Sequence, residues 1–112
     1  MPRDARASRE EIFAPVVTLE PYSSLDDALE SVDASRYGLQ AGIFTNDVGV
    51  VWRAFERLSV GAVIHNDVPM FRSDPMPYGG VKDSGFGREG VRYAILDMTE
   101  PRLLVLRPDP SA

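Results

Sequence analysis

Three glycines in the second half of the chain have the spacing of a phosphate-binding loop. The segment GFGREG, residues 85–90, matches G-x-G-x-x-G and leads into the apolar-patterned segment VRYAILDM. Such a loop seats a pyrophosphate on a helix N-terminus only when a strand precedes it. The preceding residues, PMPYGGVKDS, are rich in proline, glycine and polar side chains and predict a loop. A P-loop is also excluded, because Phe86 occupies the position of the required lysine. We therefore expect turns here, and a direct dinucleotide site at residues 85–90 is the less favoured alternative.

Few other side chains of the sequence could act as a nucleophile or a metal ligand. There is no cysteine, which excludes disulfides, thiolate metal sites and a cysteine nucleophile within these residues. The single histidine, His65, lies in the apolar run GAVIHND. One histidine without nearby carboxylates does not make a metal site, so we expect a hydrogen-bonded histidine at a strand end.

The composition is typical of one globular domain. The 112 residues are 44% hydrophobic and 26% charged, with a net charge of -5 and no basic stripe. This balance argues against a nucleic-acid partner. The apolar runs are too short for a membrane helix, and the opening MPRDARASRE is polar rather than a secretory leader. We expect a cytoplasmic protein without a membrane partner.

The hydrophobic pattern alternates between strands and helices. It predicts a strand over residues 16–20, a helix capped by Ser24 with Asp27 three residues on, and a strand in LQAGIFT. A second helix opening at Asn46 or Asp47, a strand in GAVIHN, an unpatterned loop over residues 67–87, a helix over residues 88–97 and a closing strand in RLLVL complete the pattern. This order predicts an α/β fold in which helices pack on a mostly parallel sheet.

Five segments in the same order resemble the C-terminal part of the aldehyde dehydrogenase superfamily. They are EEIFAPV, SRYGLQAGIFTND, VGAVIHND, PYGGVKDSGFGREG and MTEPRLLVL. The resemblance implies that residues 1–98 are a partial catalytic-domain segment and that residues 99–112 are an oligomerisation strand and tail. It also implies that the glycines of residues 79–90 allow tight turns and close backbone approach before the last helix.

The resemblance implies oxidation of an aldehyde to a carboxylic acid with NAD or NADP. The cysteine nucleophile and the water-activating glutamate of that reaction would lie before residue 10. We therefore expect no catalytic residue in this chain, no activity of the chain alone and no tight cofactor binding by it. Glu11 is expected to accept hydrogen bonds from the nicotinamide ribose, and Phe13 to pack beside that ribose. Phe71 and Tyr78 match aromatic positions of the aldehyde channel.

The chain departs from the family pattern at several positions. Ala14 replaces a usual glycine, and Pro69, Arg72 and Asp74 make an unusual channel loop. Some family members with the similar pattern VPxFRxDxMPYGG act on small hydroxyaldehydes, so the resemblance implies a substrate of that class, such as lactaldehyde. Three other residues, Asn66, Lys82 and Glu89, are expected to fix the loop rather than to touch substrate.

Two predictions concern the whole chain. Its length implies a fragment, a truncated gene product or an excised domain of a longer enzyme. The alternative is a non-enzymatic assembly module derived from the same family. In both cases, the continuous apolar run at residues 103–106 predicts a homodimer or higher oligomer formed through the closing strand.

Overall fold

A computed structural model describes residues 5–111 as four helices and four short strands. The helices are α1 (Arg6–Arg9), α2 (Leu25–Asp33), α3 (Val48–Arg57) and α4 (Val91–Met98). The strands are β1 (Tyr37–Gly38), β2 (Gln40–Ile43), β3 (Ala62–His65) and β4 (Val81–Lys82).

A β-α-β unit forms the packed part of the molecule. Strands β2 and β3 are parallel, with Gln40 opposite Ala62 and Ile43 opposite His65, and α3 connects them. Helices α2 and α3 pack together beside this pair. The core that the described residues bury consists of Leu29, Ala54 and Leu58, with partly buried neighbours on the helices and strands (Leu25, Ala41, Ile43, Val60, Val63).

Both predicted helix starts in this unit are confirmed. The Ser24 Oγ accepts a hydrogen bond from the Asp27 N–H at 3.1 Å and caps α2. Of the two candidates for α3, Asp47 is the cap, since its Oδ1 accepts from the Gly49 N–H at 2.7 Å. These caps satisfy backbone donors that would otherwise lack a partner at a helix N-terminus.

A second strand pair was not predicted from the sequence. Strands β1 and β4 are antiparallel, with Tyr37 opposite Lys82 and Gly38 opposite Val81. Gly38 allows these backbones to approach each other, because a Cβ on it would lie 2.9 Å from the Val81 Cγ2 and 3.3 Å from the Val81 carbonyl oxygen. The fold therefore has one parallel and one antiparallel pair instead of a single mostly parallel sheet.

Two predicted strands are absent from the described structure, and the last helix starts later than predicted. Residues 16–20 and 102–106 belong to no helix or strand. Apolar patterning alone does not make a strand, because the backbone N–H and C=O groups of a strand need a neighbouring strand as partner. No described segment pairs with residues 16–20 or 102–106. Helix α4 begins at Val91 instead of Arg88, since Gly90 at its N-cap has a φ of +114°. The helix ends at Met98, while the functional division between residues 98 and 99 stays a prediction.

The described chain is elongated. Its radius of gyration is 20.6 Å, against about 13 Å for a compact domain of this size. Val17, Leu19, Leu103 and Leu106 are each at least 80% exposed. The segments outside the β-α-β unit therefore have apolar side chains that no described residue covers.

Candidate functional site

The carboxyl ends of β2 and β3 form one edge, and the loop over residues 67–80 (the 67–80 loop) leaves from it. The Asn66 N–H donates to the Ile43 carbonyl at 2.8 Å, and the Asn66 Oδ1 accepts from the Thr45 N–H at 3.0 Å. His65 Nε2 donates to the Thr45 carbonyl at 2.9 Å, which confirms a hydrogen-bonded histidine at a strand end. Ligand sites of open α/β sheets lie at such an edge.

The start of the 67–80 loop is attached to β2. A Cβ on Gly42 would lie 2.7 Å from the Asp67 carbonyl oxygen, so this approach requires glycine. Further along, the Gln40 Nε2 donates to the Phe71 carbonyl at 3.2 Å. These contacts position the backbone of Phe71 relative to the parallel pair, and its ring is 47% exposed.

Arg72 and Tyr78 of the 67–80 loop form a side-chain cluster with Glu89, which precedes α4 (the Arg72 cluster). The guanidinium carbon of Arg72 lies 4.3 Å from the centre of the Tyr78 ring. The Arg72 Nη2 donates to the Glu89 Oε2 at 2.8 Å. The Tyr78 N–H donates to the Glu89 carbonyl at 3.1 Å and the Glu89 N–H to the Tyr78 carbonyl at 2.6 Å. A cation is thus held against Tyr78, one of the two predicted channel residues, and it follows the other, Phe71, in the sequence.

Sequence reasoning noted Arg72 only as a departure from the family pattern. Arg72 and Glu89 are 17 positions apart, and no periodic element connects them. The available signal was an arginine next to an aromatic residue in a long loop with no pattern. That signal does not identify the partner of the arginine.

Turns at the glycines of residues 85–90 bring Arg88 and Glu89 into contact with the end of the 67–80 loop. Gly85, Gly87 and Gly90 have φ values of +118°, +71° and +114°, in the region that favours glycine. The Arg88 Nη1 donates to the Gly80 and Gly87 carbonyls at 2.9 and 2.7 Å. The nearest preceding strand is the two-residue antiparallel β4, separated from GFGREG by a turn. These observations support turns and close approach over a dinucleotide loop.

Lys82 and Asp33 connect three parts of the fold. The Lys82 Nζ donates to the Asp33 carbonyl at 2.6 Å, to the Asp33 Oδ1 at 3.0 Å and to the Ser35 carbonyl at 3.2 Å. The Asp33 Oδ1 also accepts from the Ser59 N–H at 2.6 Å. The Ser59 N–H and then Lys82 hold the pKa of the Asp33 carboxyl below its usual value. Asn66 contacts Thr45 and Ile43, Glu89 contacts Arg72 and Tyr78, and Lys82 contacts Asp33 and Ser35, while their lack of a substrate contact stays a prediction.

Glu11 and Phe13 lie apart from the Arg72 cluster in terms of contacts. Both are exposed in a segment without regular secondary structure, and Phe13 has a φ of +49° with 88% of its surface exposed. Within residues 5–111, no hydrogen bond, ion pair or ring contact joins either residue to Phe71 or Tyr78. Glu11 lines an open cleft with Tyr37 and Ser84. Its two carboxylate oxygens have no described partner, so they fit acceptors for vicinal hydroxyls.

The described residues contain neither a candidate metal site nor a candidate membrane span. Within residues 5–111, no group of three His, Asp or Glu side chains is placed to hold a metal ion. No helix in the same part of the chain is long and apolar enough to cross a membrane.

Comparisons with known proteins give one consistent family. The sequence profile of the "Aldehyde dehydrogenase family" matches residues 1–104. A 3-sulfolactaldehyde dehydrogenase of Priestia aryabhattai is 48% identical over 103 residues, covering 92% of this chain and 22% of that protein. The chain thus spans about a fifth of the length of such relatives.

Solved structures match the described elements. Aldehyde dehydrogenase 21 of Physcomitrella patens, in complex with the reaction product succinate, is 52% identical with a TM-score of 0.88. The match covers 95% of this chain and 22% of that one. The NAD+ complex of an aldehyde dehydrogenase of Bacillus cereus is 36% identical with a TM-score of 0.84, covering 89% of this chain and 20% of that one. The predicted α/β segment of the catalytic domain is confirmed, and the chain belongs to the aldehyde dehydrogenase family.

Proposed function

We propose that this chain supplies the cofactor-ribose contacts and part of the substrate channel of an NAD(P)-dependent aldehyde dehydrogenase. The reaction is oxidation of an aldehyde to a carboxylic acid, and the substrate carries an anionic group. The observation that carries this proposal is the guanidinium of Arg72 over the Tyr78 ring on the 67–80 loop, with Phe71 the preceding residue. The chain contains no cysteine, so we expect no turnover from it alone.

Names of the relatives support the substrate class. 3-Sulfolactaldehyde carries a sulfonate together with the hydroxyl of lactaldehyde, and succinate carries a second carboxylate besides the one formed from the aldehyde. The anionic group of either compound needs a cationic partner in a channel that excludes water. Arg72 fits this role because a planar guanidinium binds carboxylate or sulfonate oxygens through two parallel hydrogen bonds. The small hydroxyaldehyde indicated by the sequence is compatible with this class.

Glu11 and Phe13 are proposed as the cofactor contacts. The exposed Glu11 carboxylate would accept hydrogen bonds from the two ribose hydroxyls, and the exposed Phe13 ring would pack beside the same sugar. The cofactor supplies hydride acceptance when it is bound. The choice between NAD and NADP is left to measurement.

A chimera tests the proposed function. Residues 10–104 of this chain replace the matching segment of the Priestia aryabhattai 3-sulfolactaldehyde dehydrogenase, and NAD(P)H formation is measured. Succinate semialdehyde and butyraldehyde are a matched pair, because both have four carbons and differ in the carboxylate. We expect the KM for succinate semialdehyde to be the lower one. Arg72→Ala should raise the KM for succinate semialdehyde roughly 10- to 100-fold and should change the KM for butyraldehyde little.

Three further results complete the test. The 112-residue chain alone should produce no more NAD(P)H than a heat-killed control. Glu11→Ala in the chimera should raise the KM for the cofactor and leave the KM for the aldehyde near its parent value. An inactive chimera, or one in which Arg72→Ala affects both aldehydes equally, would contradict the proposal.

The second candidate function is assembly, either as a module of its own or as the oligomer contact of the enzyme. The specific observation is that Leu103, Leu104, Val105 and Leu106 are 67–86% exposed and belong to no described strand. Pairing with a second copy would cover these side chains and satisfy the backbone groups. Light scattering over micromolar concentrations tests this, and a stable monomer throughout that range would contradict it.

A further inference from the structure

The Arg72 guanidinium is held on two sides and has hydrogen-bond donors to spare. Its guanidinium carbon lies 4.3 Å from the centre of the Tyr78 ring, and its Nη2 donates to Glu89. A guanidinium has five N–H donors, and within residues 5–111 Glu89 is its one hydrogen-bond acceptor. The remaining donors are enough for a two-point contact with a second anion.

The two holding groups are themselves fixed to each other through the backbone. Tyr78 and Glu89 exchange a reciprocal pair of N–H to carbonyl hydrogen bonds, at 3.1 and 2.6 Å. The adjacent Arg88 ties the same strip of backbone to the Gly80 carbonyl. The ring and the carboxylate that touch Arg72 are therefore placed by one backbone bridge, although Arg72 itself lies on a long loop.

We propose that Glu89 is a positioning residue for Arg72. Its carboxylate binds one part of the guanidinium and, with the Tyr78 ring, fixes the orientation in which the remaining N–H groups meet the anionic group of the substrate. This inference rests on the proposed function, because it assigns to Arg72 the recognition of that anion. Without the holding carboxylate, the arginine side chain would have to lose its rotamer freedom when the substrate binds.

A competing role of Glu89 has the opposite consequence. If its negative charge only occupied Arg72, neutralising it would free the guanidinium and strengthen binding of an anionic aldehyde. If Glu89 positions Arg72, loss of its hydrogen-bond acceptor should weaken that binding, and a neutral acceptor in the same place should preserve it. Glu89→Ala, Glu89→Gln and Glu89→Asp separate the two roles.

The experiment uses the chimera and the ratio of KM for succinate semialdehyde to KM for butyraldehyde. Glu89→Ala should raise this ratio about fivefold to tenfold, because the charged hydrogen bond that orients Arg72 is lost. Glu89→Gln, which keeps an acceptor at the same length, should stay within about twofold of the parent. Glu89→Asp keeps the charge but is one methylene shorter, so it should raise the ratio in the same direction as Glu89→Ala.

The matched control breaks another exposed arginine–carboxylate pair. Asp26 contacts Arg53 at 2.5 Å with both side chains about half exposed, as in the Arg72–Glu89 pair, and Asp26→Ala should leave the ratio unchanged. A lower ratio in Glu89→Gln than in the parent would overturn the positioning role in favour of competition. An unchanged ratio in both Glu89→Ala and Glu89→Asp would overturn it as well. If Glu89→Ala does not fold, Glu89→Asp decides.

The two proposals fail in different ways. If Arg72→Ala changes the ratio while the Glu89 variants do not, the positioning role is wrong and the anionic substrate stands. If Arg72→Ala leaves the ratio unchanged, the anionic substrate is wrong and the positioning role falls with it.

Discussion

The unit at residues 24–66 (the packed unit) and the segments without helix or strand at residues 10–22 and 99–111 (the arms) have similar apolar side chains and different surroundings. In the packed unit, Leu29 and Leu58 are 5% and 9% exposed, because α2, α3 and the parallel pair meet around them. In the arms, Leu19 and Leu104 are 83% and 78% exposed. The apolar pattern indicates that burial of a segment is favourable, and it does not indicate which surface covers that segment.

This difference also has an energetic side. Full burial of one large aliphatic side chain contributes about 1.5–3 kcal/mol. In the packed unit, Leu29 and Leu58 are already buried by residues of the same unit. In the arms, the apolar side chains are exposed, so burying them in an association would add this stabilisation. The arms are therefore where the chain would join the rest of an enzyme or a second copy of itself.

Truncation of one leucine in each region gives the largest expected effect. Leu58→Ala removes a side chain from the three-residue core and should lower the free energy of unfolding by about 2–4 kcal/mol. Leu104→Ala changes an exposed side chain and should change it by less than about 0.5 kcal/mol in a monomer. Urea denaturation followed by circular dichroism measures both. Equal losses in the two variants would remove the distinction between the packed unit and the arms.

A glycine beside the packed unit should be almost as sensitive. A Cβ on Gly61 would lie 1.8 Å from the Gly79 carbonyl oxygen and 2.8 Å from that of Leu39, so Gly61→Ala must push backbone apart. We expect a loss of about 1–3 kcal/mol. Gly49→Ala in α3 is the milder comparison, because the new methyl group would meet the Oδ1 of the capping Asp47 side chain at 3.1 Å instead of backbone. Unchanged stability of Gly61→Ala would mean that β1 and β4 are not held against this turn.

The same comparison explains which elements could be predicted from the sequence. The caps at Ser24 and Asp47 bond to backbone two or three residues away, so the local pattern contains all the information. Strands β1 and β4 have two residues each and pair across more than forty positions, which no periodicity reveals. The strand predicted at residues 16–20 is absent, although its residues have an apolar pattern typical of strands, because no described segment pairs with it.

The site residues could be predicted only where the sequence matches a family motif. Glu11, Phe13, Phe71 and Tyr78 came from the resemblance, and their functional roles stay predictions. The contact of Arg72 with Glu89 depends on how the loop turns back at its glycines, with φ of +71° at Gly87 and +114° at Gly90. A backbone path of that kind is set by tertiary contacts and not by side-chain pattern.

Helix capping gives a smaller contrast between the regions. Ser24→Ala removes the acceptor of the Asp27 N–H at the start of α2 and should cost about 1 kcal/mol. Ser111→Ala removes a hydroxyl that donates to Asp109 within the C-terminal arm and should have no measurable effect on unfolding. Thermal unfolding of the two variants beside the parent tests this. A loss in Ser111→Ala as large as that in Ser24→Ala would show that the arm belongs to the cooperative unit.

Acid titration should give the smallest difference between the regions. Both Asp33 and Asp109 have a lowered carboxyl pKa, Asp33 chiefly through the Ser59 N–H and then Lys82, and Asp109 through the hydroxyl and N–H of Ser111. A carboxyl whose pKa is lower in the folded state stabilises the fold above its unfolded pKa. That contribution is lost as the pH falls from about 4 through the folded pKa.

Only the Asp33 contribution should be visible in global unfolding. Asp33 connects the end of α2 to β4 and to the turn before β3, whereas Asp109 contacts a residue two positions away. Asp33→Asn should therefore flatten the decline of stability below about pH 4, measured by urea denaturation at each pH. Asp109→Asn should leave the curve of the parent unchanged. If the two variants shift the acid limb equally, the C-terminal arm is coupled to the packed unit through contacts that residues 5–111 do not show.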